Sequence, residues 1–156
     1  MTDWYSGSGH ITSIQDIYTS LKLHTKSNNK IFIGTDSFVS RERVCFASAI
    51  CLHGESVAKY FFIKEYDEPK KYIALVSRIT EEVRRSVEIA EDIIHECDIP
   101  AHKLELHIDA SPFDTRKTGT AKFSEMLKGY VNGAGLTCKT KPHAWASQTV
   151  ADRHSK

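Results

Sequence analysis

The sequence has no long apolar run, because no segment of its 156 residues approaches the roughly 20 apolar positions that cross a bilayer. Residues 1–9 are polar and contain glycine, where a secretory signal peptide would have an apolar core. These two absences argue against membrane and secreted proteins. We therefore expect a cytoplasmic protein with no membrane partner.

An excess of charge of either sign is also missing, since 21 Lys and Arg residues face 20 Asp and Glu residues, for a net charge of +1. The chain is therefore not a strongly basic nucleic-acid coat, and any contacts with phosphate must be local and sensitive to salt. The cysteines lack the Cys-x-x-Cys spacing of zinc and redox sites, so we interpret them as buried free thiols. They are Cys45, Cys51, Cys97 and Cys138.

The composition is that of an ordinary folded domain, with 40% hydrophobic and 26% charged residues. We expect one domain over residues 1–156, in which residues 1–29 form an N-terminal loop and helix. Apolar runs predict strands at residues 30–36, 44–52, 57–66, 103–109 and 136–141. Helical spacing predicts helices after Thr12 or Ser13, over residues 72–97, through residues 123–131 and from about residue 144.

The short connections between the first three strands predict antiparallel hairpins, whereas helices separate the later strands and predict crossovers. This order is typical of an α/β domain with a mixed five-stranded sheet and helices on both faces.

Acidic residues lie at the ends or on the packed faces of these elements. Asp36 and Asp109 end two apolar strands, Glu82 lies at the edge of the apolar arc of helix 72–97, and Asp152 lies on the last helix. Carboxylates without cysteine suit Mg²⁺ or Mn²⁺. Two such ions, about 3.5–4 Å apart, hold both the attacking and the leaving oxygen of a phosphodiester. The pattern therefore favours a metal-dependent nuclease.

Three motifs carry a resemblance to a known family: Ile33-Gly34-Thr35-Asp36-Ser37, His107-Ile108-Asp109, and a closing stretch, Lys141-Pro142 with Trp145-Ala146 and Ala151 to Lys156. Together with the order of elements, they resemble the ribonuclease H-like superfamily, and most closely the bacterial YkuK-type family of RNase H-like proteins. The similarity spans about residues 30–156, the expected core. It implies an RNase H-like fold and a nucleic-acid substrate: an RNA–DNA hybrid, RNA or structured DNA.

The resemblance also implies roles for individual residues. Asp36 would bridge two Mg²⁺ or Mn²⁺ ions, with Glu82 and Asp109 completing one side and Asp152 the other. His154 would take part in proton transfer to the leaving group or in product release. The expected contacts to the site or to substrate are Ser37, Arg116, Lys117, Arg153 and Lys156.

Plainer interpretations stand beside these roles. Asp36 ends a strand, Glu82 pairs with Arg78 or Arg85 along the helix, Asp109 opens an Asx-turn, and Asp152 and His154 are solvated. His107, His143 and Trp145 are expected to be structural.

At the level of function, the alternatives are a catalytically weak or inactive nucleic-acid-binding or adaptor module and a hydrolase of small phosphorylated metabolites. Junction resolvases also remain possible. Proofreading exonucleases carry Asp-x-Glu on the first strand, and Asp36-Ser37-Phe38 does not match it.

Overall fold

The computed structural model describes residues 2–54, 58–109, 121–141 and 143–156. Its strands are β1 (Trp4–Ser6), β2 (Ile11–Thr12), β3 (Ile31–Val39), β4 (Val44–His53), β5 (Ala58–Asp67), β6 (Leu104–His107) and β7 (Thr137–Lys139). Its helices are α1 (Ile14–Thr25), α2 (Leu75–Cys97), α3 (Ala121–Gly133), a π-helix (Ala146–Ala151), α4 (Asp152–Ser155) and short 3₁₀ turns at Pro69–Tyr72 and Ala101–Lys103.

The strands form one mixed sheet in the order β2-β1-β5-β4-β3-β6-β7. Strands β3, β4 and β5 are antiparallel neighbours. Strand β6 then runs parallel to β3, and β7 runs parallel to β6. The predicted α/β class, with hairpins first and helix–strand crossovers after, is confirmed.

The predicted strand number was too low, because the described residues form seven strands rather than five. We expected residues 4–10 to be a loop, but Trp4–Ser6 pairs with the free edge of β5, and Ile11–Thr12 pairs with Trp4–Ser6. Gly9 has φ +90° and closes the turn between them. Two short β-prone segments around a glycine turn were the missed signal.

Both faces of the sheet are covered, as predicted. Because side chains alternate along each strand, one strand contributes residues to the core on each face. On β4, Ile50 and Leu52 join the larger core with α1, α2 and α3, whereas Ala49 and Cys51 join a smaller core with the π-helix. The cysteines are free thiols, three of them buried and Cys138 half-buried. Among the described residues, no helix combines the length and apolar character needed to cross a membrane.

Gly34 lies where the π-helix passes over β3. A Cβ added at this position would lie 2.6 Å from the carbonyl carbon of Ala146 and closer still to the backbone nitrogen of Ser147. Backbone atoms cannot turn aside as a flexible side chain can. Glycine at position 34 therefore allows the close approach that sets the position of the last two helices.

We expect Gly34→Ala to lower the free energy of unfolding by about 3 kcal/mol, because the added methyl group forces two backbones apart. Urea denaturation measures this change. Gly129→Ala is the matched control, since in the part of the chain that the structure describes nothing apart from the backbone of its own helix lies within 4 Å of a Cβ added there in α3. We expect the control to gain up to about 1 kcal/mol from helix propensity. A similar small effect in both variants would contradict the close-packing argument.

Candidate functional site

Two of the predicted acids lie just beyond the point where the parallel strands β3 and β6 stop pairing, although β3 itself continues past Asp36 to Val39. Strand β6 pairs with β3 only from Ile31 to Gly34, so the β3 edge beyond Gly34 has no β6 partner. Asp36 lies in this part of β3, and Asp109 lies two residues beyond the end of β6. The ends of adjacent parallel strands are a common place for ligand sites in α/β sheets.

Helix α2 adds a third carboxylate to this corner. Glu82 is 6% exposed, and one carboxylate oxygen from each of Asp36, Glu82 and Asp109 lies within 4.8 Å of the others. We call these three residues the acid cluster. The hydroxyl of Ser37 donates a hydrogen bond of 2.6 Å to Oε2 of Glu82, whereas a contact of Ser37 with substrate stays a prediction. Among the described residues, Oε1 of Glu82 has no hydrogen-bond partner.

Glu82 does not take part in the helical ion pairs of α2. Arg85 lies 3.0 Å from a carboxylate oxygen of Glu65 and 3.4 Å from one of Glu81. Arg84 also binds Glu81 and, at the next turn, Glu88. Within the part of the chain that the structure describes, these contacts favour the interpretation of Glu82 as a site residue over that of a helix ion pair.

Helix α4 closes the site from the other face of the sheet. Ser155 is buried and its hydroxyl donates a 2.9 Å hydrogen bond to Oδ2 of Asp36. The Asp152 carboxyl lies close enough to that of Asp36 for a hydrogen bond whenever one of the two is protonated. Lys156 lies 3.1 Å from Asp152 along the helix. The fourth predicted acid is therefore joined to the acid cluster through Asp36.

The surroundings shift the acids in opposite directions. Burial raises the pKa of Asp36 to about 7, and its hydrogen bond with Asp152 adds to the rise. Burial also raises the pKa of Glu82 well above its ordinary value, although the bond from Ser37 opposes this. Burial opposes ionisation of Asp152 as well, but the bond with Asp36 and the Lys156 charge outweigh it and lower its pKa. Asp152 therefore carries negative charge at a pH where Asp36 and Glu82 still hold protons.

Two contacts of the site were missed at the sequence level. Ser155 follows Asp152 by three residues, which places both on one side of a helix, so helical spacing could have found it. Lys141 lies 2.8 Å from Oδ1 of Asp109, close enough for an ion pair. The geometry between the Lys141 ammonium and this oxygen is not that of a hydrogen bond. Among the described residues, Oδ1 of Asp109 therefore has no hydrogen-bond donor.

His154 is directed away from the acid cluster. His154 points to β5, where Nε2 lies 2.8 Å from the Tyr60 hydroxyl and the ring stacks on Phe62 at 3.7 Å. Its contacts among the described residues do not include the acid cluster, so they give no support to proton transfer by His154, which stays a prediction. Arg153 is exposed. Arg116 and Lys117 lie outside the described residues.

Buried hydrogen bonds fix the elements that carry the acids. The Thr35 hydroxyl bonds to both Ser48 of β4 and Ser86 of α2, each at 2.8 Å. His107 accepts a 2.9 Å bond at Nδ1 from the Ala146 backbone, which ties β6 to the π-helix. This contact favours the structural role expected for His107. Trp145 also packs as expected, against Phe32 and His107.

The acid cluster fits a hard divalent cation. Its donors are carboxylate oxygens, the ligands that Mg²⁺ and Mn²⁺ prefer. Within the described residues, Oε1 of Glu82 is buried without a hydrogen-bond donor, which is costly unless a proton or a cation compensates for it. Oxygens within 4.8 Å of one another also suit a shared ion.

Comparison with known proteins agrees with this geometry. The family model described as Ribonuclease H-like matches residues 12–156. The chain belongs to the Ribonuclease H-like family. Membership suggests a nuclease-type function that involves nucleic acid.

A curated relative of this ribonuclease H-like chain is Uncharacterized protein YkuK from Bacillus subtilis (strain 168). It is 25% identical over 170 residues, covering 98% of this chain and 96% of the relative. The resemblance to the YkuK-type family that the motifs predict is confirmed. No solved structure matches the chain.

The raised pKa of Asp36 should make the stability of the metal-free protein depend on pH. Its folded value of about 7 lies above its unfolded value of about 4. Between these values the folded protein holds a proton that the unfolded chain releases, so the free energy of unfolding falls as pH rises. We expect a fall on the order of 2 kcal/mol between pH 4 and pH 7, measured by urea denaturation in EDTA.

Asp36→Asn should remove the part of this fall that Asp36 causes and leave the part caused by Glu82, whose pKa burial also raises. The variant should be more stable than the unchanged chain at pH 8. Glu91→Gln, an exposed acid of α2, is the control and should follow the unchanged chain. If Asp36→Asn kept the full pH dependence, burial of Asp36 would not be its source.

Proposed function

We propose that the chain is a metal-dependent nuclease that hydrolyses phosphodiester bonds of nucleic acid. The observation that carries the proposal is the acid cluster, with its buried and unpartnered oxygen of Glu82 among the described residues. Asp36, Glu82 and Asp109 would hold Mg²⁺ or Mn²⁺, and Asp152 would complete the set for two ions. When bound, such ions polarise the phosphodiester and activate the attacking water.

The chain's own residues prepare the site for this reaction. Ser37 donates a hydrogen bond to one oxygen of Glu82, and Ser155 donates one to an oxygen of Asp36. The second oxygen of each carboxylate is free of these bonds. Fixed donors of this kind hold carboxylates in a set orientation. Asp109 and Asp152 each face a lysine, so cationic side chains already lie where a phosphate would approach. Lys141 and Lys156 are therefore candidate contacts for the substrate phosphate.

The first test of the proposal is cleavage. We expect the chain to cut at least one of an RNA–DNA hybrid, single-stranded RNA and branched DNA in Mg²⁺ or Mn²⁺, and EDTA to stop the reaction. Asp36→Asn and Asp109→Asn should each reduce the rate by about 100-fold or more, because each removes a negative ligand. Gel assays of labelled substrates measure the rate.

The control for cleavage is Glu91→Gln, which changes an exposed acid of the same helix that carries Glu82. Its rate should equal that of the unchanged chain. Full activity in Asp36→Asn or Asp109→Asn would show that the acid cluster is not the catalytic site.

A specific observation favours a second candidate, an inactive nucleic-acid-binding or adaptor module. Asp109 and Asp152 already have lysine counter-ions, Lys141 at 2.8 Å and Lys156 at 3.1 Å. Such pairs neutralise part of the negative charge without a metal. A module that kept the fold but lost its ions would need counter-ions of this kind.

Calorimetric titration with Mn²⁺ separates the two candidates. The nuclease proposal expects saturable binding at pH 8 that is lost in Asp36→Asn, and weaker binding at pH 5.5, because protons on Asp36 and Glu82 compete with the metal. Glu91→Gln should bind Mn²⁺ as the unchanged chain does. Absence of saturable binding in the unchanged chain would favour the adaptor.

A further inference from the structure

Two hollows with shared lining residues lie on the sheet near α4, and the inner one reaches Ser155 and Lys156, which contact acids of the site. The inner hollow has a volume of about 200 Å³, and its lining includes Phe38, Arg43, Lys64, Tyr66, Ser155 and Lys156. The outer hollow, of about 560 Å³, shares Lys64 and Tyr66 and extends to Tyr5 of β1. We call these two parts together the β5 groove, since Lys64 and Tyr66 of β5 line both of them.

The inner end of the β5 groove shares a wall with the acids. Ser155 lines the groove and donates to Oδ2 of Asp36 at 2.9 Å. Lys156 lines it as well and lies 3.1 Å from Asp152. A chain that lay in the groove would therefore pass directly beside the carboxylates. This continuity makes the groove a route to the site rather than a separate pocket.

The β5 groove exposes aromatic rings next to cations. Tyr66 is 47% exposed and Phe38 is 44% exposed, although large apolar surfaces are normally buried. The guanidinium of Arg43 lies over the Tyr66 ring at 3.9 Å. Aromatic rings and guanidinium planes are the surfaces on which unpaired bases stack.

The charge of the described lining complements a phosphate backbone. It contains the cations Arg43, Lys64 and Lys156 against one acid, Asp3 at the outer end, and Lys156 also faces Asp152. With a net charge of +1, the whole chain has little general attraction for nucleic acid. A local group of cations along one groove is therefore the kind of contact that such a chain needs.

We propose that the β5 groove binds single-stranded nucleic acid, with unpaired bases on Tyr66 and Phe38 and phosphates near Lys64 and Arg43. Stacking on a side chain requires a base whose face is free, and the bases of a duplex already stack on one another. The groove thus selects a single strand and leads it to the acid cluster. This last step, cleavage of the strand, rests on the proposed nuclease function.

Binding without metal tests the groove by itself. Fluorescence anisotropy in EDTA would use labelled oligothymidylate and oligouridylate of about 12 nucleotides, a length typical of single-strand sites. A blunt DNA duplex of equal length is the third probe. We expect at least one single strand to bind more tightly than the duplex, and the two single-strand arms to distinguish DNA from RNA.

Variants locate the binding. Tyr66→Ser should weaken single-strand affinity by about tenfold or more, the usual effect of losing one stacked base. Lys64→Gln should weaken it and lower its salt dependence by about one phosphate contact. The matched controls are Tyr130→Ser, a 49% exposed tyrosine of α3, and Lys59→Gln, an exposed lysine of β5 outside the groove lining. Both controls should bind as the unchanged chain does.

The results of these binding measurements distinguish a failure of the groove proposal from a failure of the nuclease proposal. Unchanged affinity in Tyr66→Ser, or a duplex that binds as tightly as the single strands, would overturn the groove even if the chain cuts nucleic acid. Single-strand binding that depends on Tyr66 and Lys64 would support the groove even if no substrate is cut.

Discussion

The burial of like charges is the constraint on which this structure depends. Carboxylates with oxygens within 4.8 Å of one another repel strongly where little water screens them. The fold holds them in place with hydroxyl donors, Ser37 for Glu82 and Ser155 for Asp36. A hydroxyl orients a carboxylate but does not neutralise it. The cluster therefore requires protons or a cation, and the raised pKa of Asp36 shows the same requirement.

The fold positions the acids through rigid elements rather than loops. Strands β3 and β6 are parallel neighbours, and β6 ends opposite Gly34, so Asp109 follows β6 near the part of β3 that carries Asp36. The Thr35 hydroxyl joins β3 to β4 and α2, and His107 joins β6 to the π-helix. Gly34 lets that helix approach β3 closely enough for Ser155 to reach Asp36. Preorganisation of this kind is what keeps a ligand set within the small tolerances of a metal site.

Much of the site could be predicted from local patterns, and the rest depends on tertiary contacts. Asp36 follows a buried apolar run and Glu82 lies on a packed helix face, so periodicity alone indicates both. The pairing of Trp4–Ser6 with β5 requires a free strand edge, which no local pattern reveals. His154 was predicted near the acids because it is close to Asp152 in sequence. Residues two apart on a helix do not share a face, whereas residues three or four apart do, as Ser155 and Lys156 show.

The lysines near the site form ion pairs with only some of its acids. Lys141 and Lys156 face the two outer acids, Asp109 and Asp152. Among the described residues, Asp36 and Glu82 at the centre have hydroxyl partners and no lysine or arginine ion pair. The outer charges are thus balanced within the chain, while the central pair takes up protons at low pH. Once those protons leave, a divalent cation is the group that restores the balance at the centre.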